Sequence, residues 1–396
     1  EGGITTSGYQ EYNASAVLVG NTTLQGTDLT FSNGLDGTDK NLDLNFSNTT
    51  FLNDNFANIA DLTSEGDVSL SGTITTSGSQ DYKAAANLLD NTTLEGNSLT
   101  LASGVDGNSK SLNLNFSQTT SLDGSFTNIA DLTSEGNVSL NGTITTSGDQ
   151  TYKADTILSG DTDIVTSGGD VTITGGTGGI YSAEVLPAGT GYNLSINSGS
   201  GNIIVGNETG FGDKDGTAAL INNLSLNSST STKIGSGNQM IGRDMNVPGG
   251  PLTLLGDALL SGRSLMTPAG VDGAGHNLDL GFTEQTTIDG NFININNLKS
   301  SFGVALEGGI TTSGYQEYNA SAVLVGNTTL QGTDLTFSNG LEGTDKNLDL
   351  NFSNTTFLND NFANIADLTS EGDVSLSGTI TTSGSQDYKA AANLSD

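Results

Sequence analysis

Apolar and polar residues alternate along this chain in short bursts. The clearest is Leu42-Asp43-Leu44-Asn45-Phe46, apolar at every second position. A period of two marks a strand with one buried face. Leu29-Thr30-Phe31, Val68-Ser69-Leu70 and Ile74-Thr75-Thr76 read the same way. Between the bursts stand Gly, Asn and Asp, the residues that take tight corners at least cost. Gly and β-branched residues recur too often for long helical faces. Ala84-Ala85-Ala86-Asn87-Leu88 has a helical composition, but its place in the pattern favours a strand.

The pattern repeats. Gly3-Ile4-Thr5-Thr6-Ser7-Gly8 returns at a constant step around Ile74 and Ile144, and the same step separates two later copies around Ile310 and Ile380. Phe46, Phe116, Phe282 and Phe352 form one column, and Phe56, Phe126, Phe292 and Phe362 another. Residues 1–90 match residues 307–396 at all but two positions, Asp36/Glu342 and Leu89/Ser395. A 306-residue super-repeat is expected to continue in a longer array. The organisation expected is regular 70-residue repeats over 1–155, a diverged Gly-rich insert over 156–256, and regular repeats over 257–396, with 307–396 duplicating 1–90.

Each unit divides into segments opening at Asn21, Asn48 and Asp67. Strands this short would also suit a sandwich or a propeller. The segment length favours an all-β chain wound as a right-handed parallel β-helix, a β-solenoid of 70-residue units with about three coils each. At roughly 23 residues per coil that gives about 17 coils. Leu24, Leu44, Phe46, Phe51, Leu70 and Ile74 are expected to point inward.

Composition narrows the chemistry. The chain has no Cys, which removes disulfides, thiol catalysis and Cys-ligated zinc, and one His, which removes His-paired metal sites. Eleven basic residues against 44 acidic ones, a net charge of −33, speak against a nucleic-acid partner. No apolar run is long enough to predict a transmembrane segment.

"ITTSGxQxY" (Ile74–Tyr82 and Ile144–Tyr152), "NTTLxG" (Asn21–Gly26 and Asn91–Gly96) and "SGGDVTITG" (Ser167–Gly175) resemble the repeat regions of filamentous-haemagglutinin-like bacterial adhesins, exoproteins of the two-partner-secretion type. The resemblance implies a β-solenoid at the bacterial cell surface or in the extracellular medium. It also implies roles in adhesion, biofilm or cell–cell contact. The family's N-terminal secretion domain and toxin-like C-terminal domain have no counterpart in these residues.

The acidic turns are the main candidate sites. Asp36, Asp39, Asp106 and Asp272 recur at one place in the unit, and Asp213 and Asp215 form another acidic turn. They would serve either as structural turns or as calcium ligands, calcium being the one cofactor the residues suggest. No other cofactor and no catalytic residue is expected. Tyr9, Tyr12, Tyr82 and Tyr152 would shield the end of the core or stack on sugars. His276 is expected in a surface loop.

The expected function is therefore structural, a repeat segment of a long extracellular fibre or adhesin and not an enzyme. Its partners would be other surface fibres, a host or neighbouring-cell surface, or a polysaccharide. One alternative is a self-assembling homo-oligomer, a multi-chain filament or sheath. The other is a glycan-active β-helix enzyme, against which the scarce Lys and Arg argue, since an acidic chain repels acidic glycans.

Overall fold

The computed structural model describes residues 2–175, 179–183, 191–206, 210, 211 and 221–394. Among them every regular element is a strand, and the strands pair in parallel to build a β-solenoid of about 19 turns. The chain divides into two compact units, Glu1–Val185 with Tyr192–Ile204, and Leu186–Gly191 with Val205–Asp396.

Each turn of the first unit has three strand-bearing faces. On the first face Ile4 pairs with Leu24, Leu24 with Leu44, Leu44 with Ser64, and Ser64 with Tyr82. On the second, Gln10 pairs with Leu29, Leu29 with Thr50, Thr50 with Val68, and Val68 with Ala86. On the third, Ala16 pairs with Leu35, Leu35 with Phe56, Phe56 with Ile74, and Ile74 with Leu94. The step from Ile4 to Leu24, or from Thr50 to Val68, makes a turn shorter than the expected coil, and about 19 turns replace the roughly 17 expected.

The alternation explains the packing. In Leu35–Phe46, Leu42, Leu44 and Phe46 are buried while Asp43 and Asn45 are exposed. Because side chains alternate, one residue of slip would turn the whole apolar set outward. Stacking turn on turn closes the core: Leu42, Phe56, Leu62, Leu70, Ile74 and Leu94 are all fully buried. Each such side chain stabilises by about 1.5–3 kcal/mol on leaving water. Tyr12 stacks on Phe31 at 4.8 Å, and Phe31 meets Phe56 edge-on at 5.4 Å.

Phe51 departs from expectation. It points outward and is half-buried, while Thr50 and Leu52 fill the core beside it. Register decides this, because Leu52 must meet Leu70 in the turn that follows. The cost falls on Thr50, whose buried Oγ1 has no hydrogen-bond partner.

The 70-residue unit does not close on a whole number of turns. Ile4 lies on the first face, Ile74 on the third and Ile144, which pairs with Phe126 and Ile164, on the second. From Ile4 to Ile74 the chain lays down three full turns and two further faces. Every motif of the unit therefore moves two faces round the solenoid at each repeat. The segments opening at Asn21 and Asn48 are thus not equivalent: the first leads into the first face and the second into the second.

Corners are held by short side chains and by glycine. Gly34 has φ +65°, and a Cβ there would sit 2.0 Å from the Asn55 carbonyl oxygen. At Gly66 a Cβ would sit 2.1 Å from the Phe46 carbonyl oxygen. These contacts exclude any larger residue from the corner.

The described part of 156–256 continues as coils. Gln150 pairs with Val171, Thr156 with Ile180, and Thr162 with Leu194, the last bridging a longer stretch of sequence and so carrying extra chain. In the second unit the same three-column core returns. Ala258, Leu278, Leu298, Gln316 and Leu335 pair in succession. So do Val304, Ala322, Leu341, Phe362 and Ile380, and Ile310, Leu330, Leu350, Ser370 and Tyr388. Among the described residues no helix is long and apolar enough to cross a membrane.

Candidate functional site

The Asp-Gly turns sit where Thr38 and Asp39 take positive φ, 47° and 57°. The Asp36 Oδ1 accepts the Thr38 N–H at 3.1 Å and the Asn58 side-chain N–H of the following turn at 3.1 Å. Asp106 does the same with Asn108 and Asn128, and Asp272 with Ala274 and Asn294. Asn58, Asn128 and Asn294 themselves have positive φ, so one oxygen pins two corners on successive turns. A hard cation needs six to eight converging oxygens, whereas these oxygens are turned towards N–H donors. Among the described residues no three His, Asp or Glu side chains gather where a metal ion could be held. Asp36 and Asp106 also lie on different faces, the third and the second. Asp39 is exposed beside Asp36, and Asp213 and Asp215 lie outside the described residues.

A second set of corners forms ladders. The Asn91 Oδ1 accepts the Ser111 N–H at 2.9 Å, and the Ser111 hydroxyl donates to Asp131 at 3.1 Å. Asp131 accepts the Asp149 N–H at 2.9 Å, and Asp149 the Asp170 N–H at 2.8 Å. In the second unit Asn327 accepts from Asn347, Asn347 from Asp367, and Asp367 from Ser385. Hydrogen bonds from the Ser385 backbone and hydroxyl hold the Asp367 carboxyl below its ordinary range. In these ladders the Asn and Asp side chains have a backbone role: Asn91, Asp131, Asp149, Asn327, Asn347 and Asp367 each accept an N–H of the following turn.

Tyr82 and Tyr152 are internal, and Tyr12 is half-buried against Phe31. Tyr82, Tyr152 and Tyr318 are fully buried, and the Tyr82 hydroxyl donates to the Gln80 Oε1 at 3.0 Å. The Gln80 Nε2 donates to the carbonyls of Ile74 and Glu95, both at 2.9 Å. Gln150 and Tyr152 repeat this lock. Burial pushes all three phenols far above their ordinary range. Sequence reasoning overlooked the glutamine, although the constant Gln-x-Tyr spacing signals it. Tyr9 differs in being exposed.

Charged side chains pair across turns. Lys83 meets Glu65 at 2.6 Å, and Lys153 meets Glu135 at 2.7 Å, at equivalent places in the unit. Arg263 grips Asp244 through both carboxylate oxygens and holds that carboxyl below its ordinary range, helped by Ser264. His276 lies in a turn, its Nδ1 3.8 Å from Asp257. Burial raises the Asp279 carboxyl, against the opposing effect of Lys299.

One recess stands out in the second unit. A groove of about 770 Å³ is lined by Ala274, Gly275, Ile293, Asn294, Gly309 and Thr311, with Phe292 and Ile295 as its floor. Sequence reasoning missed it. Its signal was a local departure from the columns: Gly273-Ala274-Gly275-His276 stands where other units have Gly37-Thr38-Asp39-Lys40 or Gly107-Asn108-Ser109-Lys110, and Ile293 where they have Ala57, Thr127 and Ala363.

No family model, no curated protein and no solved structure matches this chain.

Proposed function

We propose that the chain is a structural repeat segment of a long extracellular bacterial surface fibre of the adhesin type, in which stacked turns carry attachment functions away from the cell. The observation that supports this reading is the phase of the repeat. Because each unit carries its motifs two faces onward, no side of the first unit collects one kind of motif, while the core columns run on unbroken. A catalytic or partner-binding array gains from identical groups aligned on one face. A shaft gains from a continuous core and a surface that is similar from every side. The net charge of −33 suits a shaft that stays soluble and separate from its neighbours.

Immunogold electron microscopy of intact producing cells tests the reading. Antibodies against this chain should decorate filaments that extend from the cell surface. Label confined to the cell interior would overturn it.

A further inference from the structure

We propose that the groove at Ile293 binds a short neutral oligosaccharide. The groove is uncharged in a chain of net charge −33: none of Ala274, Gly275, Ile293, Asn294, Gly309 or Thr311 carries a charge. It therefore offers a cationic ligand no ion pair, and the acidic chain around it repels an anionic one. Its volume of about 770 Å³ falls within the range of small-ligand clefts.

The lining has the two faces a pyranose ring needs. Ile293 is 46 % exposed and gives an aliphatic platform for ring C–H groups. Around it stand the exposed Thr311 hydroxyl, the Ser313 hydroxyl, which donates to Asn296 and can still accept, and the Asn294 side-chain carbonyl, whose N–H is already given to Asp272. Peptide addition is disfavoured because the local backbone is taken: the Thr312 N–H donates to Gln331, Ser313 to Ile295, Gly275 to Asn294 and Asn296 to His276. Recognition must come from side chains, which matches sugar hydroxyls better than a peptide strand.

The site arises by substitution at one corner of the repeat. Gly275 removes the carboxylate that Asp39 and Asp345 place there, and nothing lies within 4 Å of where its side chain would be. Gly309, like Gly3 at the same place in the repeat, stands where Thr73, Thr143 and Thr379 carry a side chain, and it is equally open. Ile293 adds the platform that Ala57 and Ala363 lack.

Saturation-transfer NMR on the full chain tests this with cellotriose, chitotriose and mannotriose as probes, and with trigalacturonate and a neutral Ser/Thr/Gly hexapeptide as controls. At least one neutral trisaccharide should bind. Gly275→Asp should weaken it at least tenfold and Ile293→Ala several-fold; both restore residues that other units carry, Asp at φ of 57° and 58° in Asp39 and Asp345 against +86° at Gly275, and circular dichroism of both variants checks that they fold. The inference fails if no neutral trisaccharide binds, if binding survives both substitutions, or if trigalacturonate or the hexapeptide binds as well. Such a failure leaves the shaft reading untouched, since that reading requires no ligand.

Discussion

Ile74 lies two faces round the solenoid from Ile4, its counterpart one unit earlier. Ile4 packs against Leu24 on the first face, and Ile74 sits between Phe56 and Leu94 on the third. Sequence identity along the chain and alignment in space are therefore different things in this protein. A partner that reads one motif meets it on a different face in each of the three repeats of the first unit.

The register predicts opposite outcomes for two neighbouring apolar residues. Leu52 is fully buried, whereas Phe51 is half-exposed. Leu52→Ala should cost about 2–4 kcal/mol and Phe51→Ala less than about 1 kcal/mol. Urea unfolding of the two variants checks this, and a larger loss from Phe51→Ala would reverse the assignment of faces.

That pair also shows what the sequence could and could not reveal. Leu42, Leu44 and Phe46 alternate with Asp and Asn, so their inward direction is plain from pattern alone. In Asn48-Thr49-Thr50-Phe51-Leu52 the larger residue draws the eye, but the buried side is set by Leu70 one turn on. The turn length was obscured for a similar reason. Asn21 and Asn48 open look-alike Asn-Thr-Thr segments, yet the Asn21 Oδ1 accepts the Asn41 N–H while the Asn48 side chain donates to Asp28, and the two open different faces. At the acidic turns, Asp36 and Asp106 were legible as turn formers from Asp-Gly alone. Their second role, receiving Asn58 and Asn128, needed the stacking. The Ile293 groove is built from residues that are missing, Asp at 275 and Thr at 309, and an absence carries weight only beside the filled columns.

Alkaline pH should unfold the chain through its buried phenols. Tyr82, Tyr152 and Tyr318 have folded-state pKa values raised by burial, while unfolded phenols ionise near about 10. Their contribution is fully present below that value. As pH rises past it the unfolded state sheds protons that the native state keeps, so stability falls. Absorbance at 295 nm should show these three tyrosines ionising only together with loss of β circular dichroism. Ionisation of all nine tyrosines before unfolding would contradict their burial.

The Arg263–Asp244 pair should act in the acid range. The Asp244 carboxyl is held below its ordinary range by the Arg263 guanidinium. The resulting stability is present above the unfolded carboxylate pKa and is lost as pH falls through the folded one. Both groups are partly exposed, so solvent screening keeps the effect small. Asp244→Asn should be slightly less stable than the parent chain at neutral pH and match it near pH 2. An equal deficit at both pH values would assign the loss to packing.

The Gln80–Tyr82 lock should be worth more than an exposed hydrogen bond. Tyr82→Phe leaves the buried Gln80 Oε1 without its donor, at a cost of about 1–3 kcal/mol. Thermal unfolding of this variant measures the cost, and an unchanged midpoint would show the Oε1 to be satisfied in another way.

Paired cysteines test the stacking most directly, because the chain has no native Cys. Thr23 and Asp43 are partners on successive turns of the first face, at the ordinary strand spacing of about 4.8 Å, which a disulfide can span. Thr23 and Thr50 occupy like places in the two Asn-Thr-Thr segments but belong to different faces. Under mild oxidation of the folded protein, Thr23→Cys with Asp43→Cys should link rapidly, and Thr23→Cys with Thr50→Cys should stay reduced. A rapid link in the second pair and none in the first would contradict the register on which the whole account rests.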